Sequence, residues 1–471
     1  MHSLLLTVSL SLVAALPRPL MSHEDGAVGL QRVVEDRQAG RALLESLREH
    51  LAPPRHRMEI ELRSTLRPMT HGAAPGSVGE IPMNRSIRIF SVSAGADTSF
   101  RLDVERSNAV MLGPPGSLRI NDGFALEDEF GPRRLLHSEA DELRAQLLFR
   151  AATPHALVHY LAAVGRVLGH SEADDGRASV LVDCGVGHVC LHTVPVSWGD
   201  AKAPGLVGFE WVTHDRFLGD VVESLAYDLA DPKAPGVVAG WTVEGPVGTG
   251  ETTEVTSVTL DSKASPLRGG LFPLDPAKLP LTEAPRPPQI ERRPLANGVV
   301  ELLNARDQSR SLAVDLGPGW AVLEAPVSTR VGEALVRALE TEKPGHPFLY
   351  VAASHHHPHY IGALRPFVHR GATIVCPAEV APYVEHIVTR PWTREPDELA
   401  RSGRRPRIIG VEQGERWTPP EAEGRWIAVE SDGRSGHTEA FLVFFLPEER
   451  LAFGGDILWL RRDGQKMGPN P

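Results

Sequence analysis

The sequence predicts a mixed α+β protein in two parts: a β-rich N-terminal domain with helices, then a C-terminal domain in which strands and helices alternate. Three observations carry this. Short segments from EIELRSTL to TEVTSVTL alternate polar and apolar residues, as half-buried antiparallel strands do. Seven prolines without periodicity stand between residues 262 and 291; they stiffen the chain and remove backbone donors, which marks a linker. From about residue 295, near-continuous apolar runs alternate with stretches of helical period.

At the N-terminus, MHSLLLTVSLSLVAALPRP has an apolar core from Leu4 to Leu16 that ends in small residues and Pro17. Residues 1–20 are therefore expected to be a signal peptide, making the chain periplasmic or secreted. The leading region holds His2 but no Lys or Arg, so a buried helix in a cytoplasmic chain is the other reading. No apolar stretch reaches the length of a membrane-spanning helix, so no integral membrane span is expected.

Residues 25–262 are read as the N-terminal domain. VGLQRVVEDRQAGRALLESLREHL has helical spacing and is stopped by Pro53 and Pro54. EIELRSTL, IRIFSVS and TSFRLDVE read as strands, and a helix is expected from Ser138. TPHALVHYLAAVGRVLG is expected to be another helix, with Thr153 as N-cap and Pro154 in its first turn. ASVLVDC, HVCLHTV, LVGFEWV and TEVTSVTL resume the strand pattern, which implies a curved antiparallel sheet with helices on one side. Cys184 and Cys190 flank a hairpin, as either a disulfide or two packed thiols; Cys376, in the apolar run ATIVCP, is a core residue.

Residues 263–294 are read as the linker and 295–471 as the second domain. SLAVDL and WAVLEAP are strand-like, and VGEALVRALETE sets Val331, Ala334, Leu335, Ala338 and Leu339 on one helical face. FLYVAA suits a strand buried on both sides. IGALRPFVHRG reads as a helix closed by Gly371, ATIVCP as a strand, AEVAPYVEHIV as a helix, and AFLVFFL–PEER–LAFGG as a hairpin.

Composition narrows function. The formal net charge is −11 with 23% charged residues and no basic arm, which argues against a nucleic-acid partner. The 20 histidines, by contrast, place four within five positions in SHHHPHYIG, directly after a buried strand. Side chains alternate along an extended segment, so His355 and His357 share a side and His356 points away. Two imidazoles so placed suit a metal ion, zinc above all. His437, in SGHT, would supply a third imidazole and leave one coordination position open. Asp456 follows the hairpin in FGGDIL.

These segments together carry a resemblance. SHHHPHYIGAL resembles the His-x-His-x-Asp-His motif of the metallo-β-lactamase superfamily, SGHT its third-ligand motif, and FGGDIL the motif of its bridging aspartate. WAVLEAP is similar to the strand ahead of the first helix, with Glu324 at the usual acidic position. TPHALV and FLGDVV are similar to the β-rich region ahead of this domain in some exported members. The resemblance implies an αββα sandwich holding zinc through His355, His357, His437 and Asp456, and a metal-dependent hydrolase acting on a small-molecule substrate. The pattern breaks where the family has aspartate at 359 and histidine at 360: this chain has His359 and Tyr360. The sequence also stops soon after Asp456, ahead of a late family histidine. One zinc ion is therefore expected, with Asp456 at the reacting centre, His359 as base and Tyr360 as donor to a developing oxyanion. The alternative is a non-catalytic relative that binds a ligand or partner in the same cleft. Substrate and oligomeric state are beyond the sequence.

Overall fold

A computed structural model describes residues 36–51, 57–67, 81–94, 97–107, 117–121, 124–128, 134–135, 154–185, 187–198, 201–215, 217–228, 240–244, 250–261, 287–421, 427–430, 438–455, 458–459 and 468–469. The chain divides into two units. One comprises Met1–Pro68, Glu80–Thr213 and Val221–Ala284; the other comprises Met69–Gly79, His214–Asp220 and Pro285–Pro471. The expected signal peptide, the helix from Ser138, Thr153 and most of the proline-rich segment lie outside the described residues.

Residue alternation sets the sheet of the first unit. Its strands are β1 (Arg57–Arg67), β2 (Ile81–Ala94), β3 (Asp97–Ser107), β7 (Arg166–Glu172), β8 (Ala178–Asp183), β9 (His188–Trp198), β10 (Ala201–Asp215), β11 (Gly219–Asp228), β12 (Gly240–Glu244) and β13 (Gly250–Asp261). They lie in the order β3-β2-β1-β13-β12-β11-β10-β9-β8-β7. A separate ribbon holds β4 (Ser117–Asn121), β5 (Phe124–Asp128) and β6 (Arg134–Leu135). Helix α1 (Arg37–His50) begins where the Asp36 carboxylate accepts from Ala39 N–H at 2.9 Å. Leu44 and Leu47 of α1 and Leu157, Val158 and Leu161 of α2 (Pro154–Val164) form one core with Val180, Val182, Val189, Leu191, Phe209 and Trp211 of the sheet.

The expected helix from Thr153 is shorter than its pattern. It stops at Val164, and Arg166 opens β7, paired to β8. In VGRVLG the apolar spacing of Val164, Val167 and Leu168 suits a helix, and pairing with a neighbouring strand overrides it. The cysteines of DCGVGHVC are not bonded. Cys190 stands opposite Leu181 and Glu210, while Cys184 lies in the turn and donates to Gly187 O at 3.2 Å.

The second unit holds a mixed sheet in the order β14-β15-β16-β17-β18-β19-β20. Its strands are β14 (Ile290–Ala296), β15 (Val299–Asn304), β16 (Arg310–Asp315), β17 (Trp320–Leu323), β18 (Phe348–Ala352), β19 (Thr373–Pro377) and β20 (Ile408–Val411). β14 starts inside the segment read as linker. Pairings from β14 to β17 are antiparallel and those from β17 to β20 parallel. A smaller sheet contains β21 (Arg416–Trp417), β22 (Ile427–Glu430), β23 (Leu442–Leu446) and β24 (Leu451–Phe453), and the expected hairpin is β23–β24.

Alternation along the strands builds three layers. Val322, Val351, Ile374 and Cys376 face helices α3 (Thr329–Glu342), α5 (Leu364–His369), α6 (Ala381–Thr389) and α7 (Glu398–Ser402), packing on Val331, Leu335, Leu339, Phe367, Val384 and Leu399. From the opposite face Ala321, Leu323, Ala352 and Val375 pack on Leu442, Phe444 and Leu446 of the smaller sheet. Helices cover one face and a second sheet the other, which matches the first three layers of the expected αββα sandwich. Among the described residues no helix is long and apolar enough to cross a membrane.

Candidate metal centre

Parallel strands place their carboxyl ends side by side, and loops leaving those ends collect functional groups. β17 and β18 do this here. Glu324 follows β17 and donates its N–H to Ala352 O at 2.8 Å, and its carboxylate accepts from Ser354 N–H at 3.1 Å. Glu324 is fully buried, with φ at 68°, and Val327 has φ at 70°. Left-handed backbone at two non-glycine residues costs on the order of 1–3 kcal/mol each and is typical of segments held for function. The next turn closes on the same loop: Ala325 N–H donates to Tyr360 O at 3.1 Å and Ala363 N–H to Ala325 O at 2.8 Å. Gly362 is required there, because a Cβ would collide with the Val327 carbonyl.

The histidines leave the strand by a different route from the extended one expected. β18 ends at Ala352, residues 354–356 form bends, and α4 (Pro358–Ile361) begins one residue after His357. The curl nevertheless brings His355 and His357 together. His355 Nε2 lies 3.0 Å from His357 Nδ1, with ring centroids 4.5 Å apart. Ser354 Oγ holds the other nitrogen, His355 Nδ1, at 2.8 Å. His355, His356 and His357 are all buried. His356 packs its ring edge-on to His357 at 4.6 Å and Tyr383 at 6.3 Å.

His359 belongs to the same constellation. One ring nitrogen from each of His355, His357 and His359 lies within 4.8 Å of the others, and this is the group suited to a metal ion among the described residues. The Tyr360 ring lies 4.5 Å from that of His355 and 4.6 Å from that of His359. Three imidazoles make a donor set that fits zinc, nickel or copper better than magnesium or calcium.

His437 and Asp456 lie outside the described residues, but their neighbours are described. Thr438, next after His437, is fully buried. Three residues further on, the Phe441 ring stacks on His355 at 4.9 Å and 20°, and Leu442 N–H donates to Ser354 O at 2.8 Å. Gly455, next before Asp456, has φ at 48°, and a Cβ there would lie 2.7 Å from Ser354 Oγ and 3.1 Å from Glu324 Oε1.

Sequence reasoning missed Ser354 and Phe441. Ser354 is adjacent to the first histidine, which is a usable signal for an imidazole-orienting partner. Phe441 sits in an apolar run whose pattern gives no reason to separate it from the core.

No family model matches the chain, and no curated protein matches it. Among solved structures it is similar to DIM-1 metallo-β-lactamase at 17% identity, over 36% of this chain and 72% of that one, with a TM-score of 0.28. A metallo-β-lactamase from Pontibacter korlensis aligns at 16% identity over 36% of this chain and 73% of that one, TM-score 0.28. The metallo-β-lactamase FIM-1 from Pseudomonas aeruginosa, in a mono-zinc form, aligns at 15% identity over 37% and 72%, TM-score 0.28.

Proposed function

We propose that the C-terminal domain is a metal-dependent hydrolase of the metallo-β-lactamase type, acting on a small-molecule substrate with one zinc ion. The single observation that carries this is the facing pair His355 Nε2 and His357 Nδ1, buried at the strand end with Ser354 on the far nitrogen. The ordered recurrence of SHHHPHYIGAL, SGHT and FGGDIL supports it, as does the layering of helices, sheet and second sheet. His437 and Asp456 are assigned to the same centre because residues near them, Phe441, Leu442 and Gly455, run against Ser354 and His355.

The ion would supply Lewis acidity, polarising a scissile carbonyl or phosphoryl group and making water acidic enough to attack near neutral pH. The protein supplies position. Ser354 fixes the tautomer and tilt of His355, and Phe441 clamps its ring face. The Tyr360 hydroxyl is assigned to the charge developing on the substrate oxygen. Burial of the imidazoles excludes bulk water and strengthens each of these contacts. The apolar core from Leu4 to Leu16 supports a periplasmic or secreted location.

Metal analysis and turnover test this together. Purified protein should carry about one zinc per chain and hydrolyse a member of an ester, lactam and phosphoester panel, with loss of activity on chelation. Folded protein that takes up no metal ends the reading. Stoichiometric metal without hydrolysis of any substrate would favour the non-catalytic binding module.

A further inference from the structure

We infer that His359 is itself a metal ligand, so that His355, His357 and His359 together hold a divalent ion from one short loop. The inference rests on the reading of this loop as a metal centre, and it changes the part that His359 plays there. A base at this position needs its lone pair for a proton, whereas a ligand gives that pair to the ion, and the geometry favours the ligand.

The distances are the first argument. Metal–nitrogen bonds of about 2.0–2.1 Å in a tetrahedron set ligand nitrogens roughly 3.3–3.4 Å apart. His355 and His357, at 3.0 Å, are already near that separation. The three nitrogens all lie within 4.8 Å of one another, so His359 has to close by no more than about 1.4 Å to reach it. Its ring is 5.5 Å from that of His357 and 6.2 Å from that of His355.

Restraint is the second. His355 is pinned between Ser354 and Phe441, and His357 is buried at the start of α4, so two donors are preset. His359, in the first turn of α4, is half-buried where His355 and His357 are fully buried, so its ring is the least enclosed of the three. Pro358 fixes the backbone between the two histidines.

The third argument is chemical. An imidazole where the family carries an aspartate replaces a carboxylate and makes the loop's donors all nitrogen. Such a set selects zinc, nickel and copper over manganese and magnesium.

Zinc affinity of the full chain, measured by competition with a chromogenic chelator, tests this without reference to activity. His359→Ala should weaken zinc binding at least about 100-fold, beyond the roughly 10–100-fold typical of losing a partner that only orients a ligand. His359→Gln, close in size but without an imidazole, should do the same, and His386→Ala on the surface should leave affinity unchanged. The cobalt-loaded protein should also change its visible absorption in both His359 variants, which a merely structural residue would not cause. Wild-type affinity and an unaltered cobalt spectrum in both His359 variants, each folded by circular dichroism, would overturn the inference. That failure leaves the hydrolase reading intact, and absent hydrolysis with weakened zinc binding would do the reverse.

Discussion

His355 Nε2 faces His357 Nδ1 across 3.0 Å, and the remaining nitrogen of His355 is held by Ser354 Oγ at 2.8 Å. Two ring nitrogens at that separation share either a proton or a cation. The serine settles which nitrogen of His355 is turned toward the pair, and buried rings cannot turn to water instead.

Ser354→Ala is expected to lower zinc affinity by about 10–100-fold while leaving the fold intact, because it removes an orienting partner and not a ligand. Chelator competition and a thermal melt on the same sample separate the two effects. Unchanged affinity would mean that packing alone orients His355.

Gly455→Ala is expected to destabilise the second unit by at least about 1–2 kcal/mol from left-handed backbone alone. It should also loosen zinc, since the new methyl would lie 2.7 Å from the Ser354 hydroxyl that holds His355. Chemical denaturation and zinc titration read the pair of effects, and a neutral outcome in both would show that the 455 backbone can move aside.

Arg365 and Asp397 form a buried two-pronged ion pair, Nε to Oδ2 and Nη2 to Oδ1 at 2.7 Å each, and Asp397 also accepts from Ala400 N–H at 2.8 Å. Burial opposes ionisation of Asp397, but the hydrogen bonds from Arg365 outweigh it and hold the carboxyl below its ordinary value. Stability from this pair is therefore present above the ordinary aspartate value of about 3.9 and lost as pH falls through the lower folded value. Asp397→Ala should cost about 3–5 kcal/mol at neutral pH by stranding a buried guanidinium. Urea unfolding at pH 7 and pH 3 should show the difference between variant and wild type shrinking in acid.

Glu210 shows the opposite sign in the first unit. Burial pushes its carboxyl up from 4.5 to about 7. As pH rises, the unfolded chain releases this proton first, so stability falls between about 4.5 and 7. Glu210→Gln should flatten that slope and stabilise the protein above pH 7 by up to about 3 kcal/mol. Unfolding free energies at pH 5 and pH 8 check it, and an unchanged slope would assign the titration to another group.

The layers were legible because they depend on short-range pattern. Leu44 and Leu47 repeat at helical spacing, and Val180 and Val182 alternate as a strand does. Where strand pairing overrode helical spacing, as in VGRVLG, the sequence failed, since the deciding partner lies outside the local pattern. Ala338, expected on the buried face of α3, is half-buried while Val336 is buried, a shift set by what packs on the helix.

By itself the sequence determined that four imidazoles follow a buried strand, and that SGHT and FGGDIL stand far along the chain in a recognisable order. Tertiary structure alone decided that the loop curls instead of running straight, that Ser354 holds one face of the site and Phe441 another, and that His359 turns toward the facing pair. Periodicity is written within a few residues, whereas convergence depends on hydrogen bonds such as Leu442 to Ser354, made between segments that no local pattern connects.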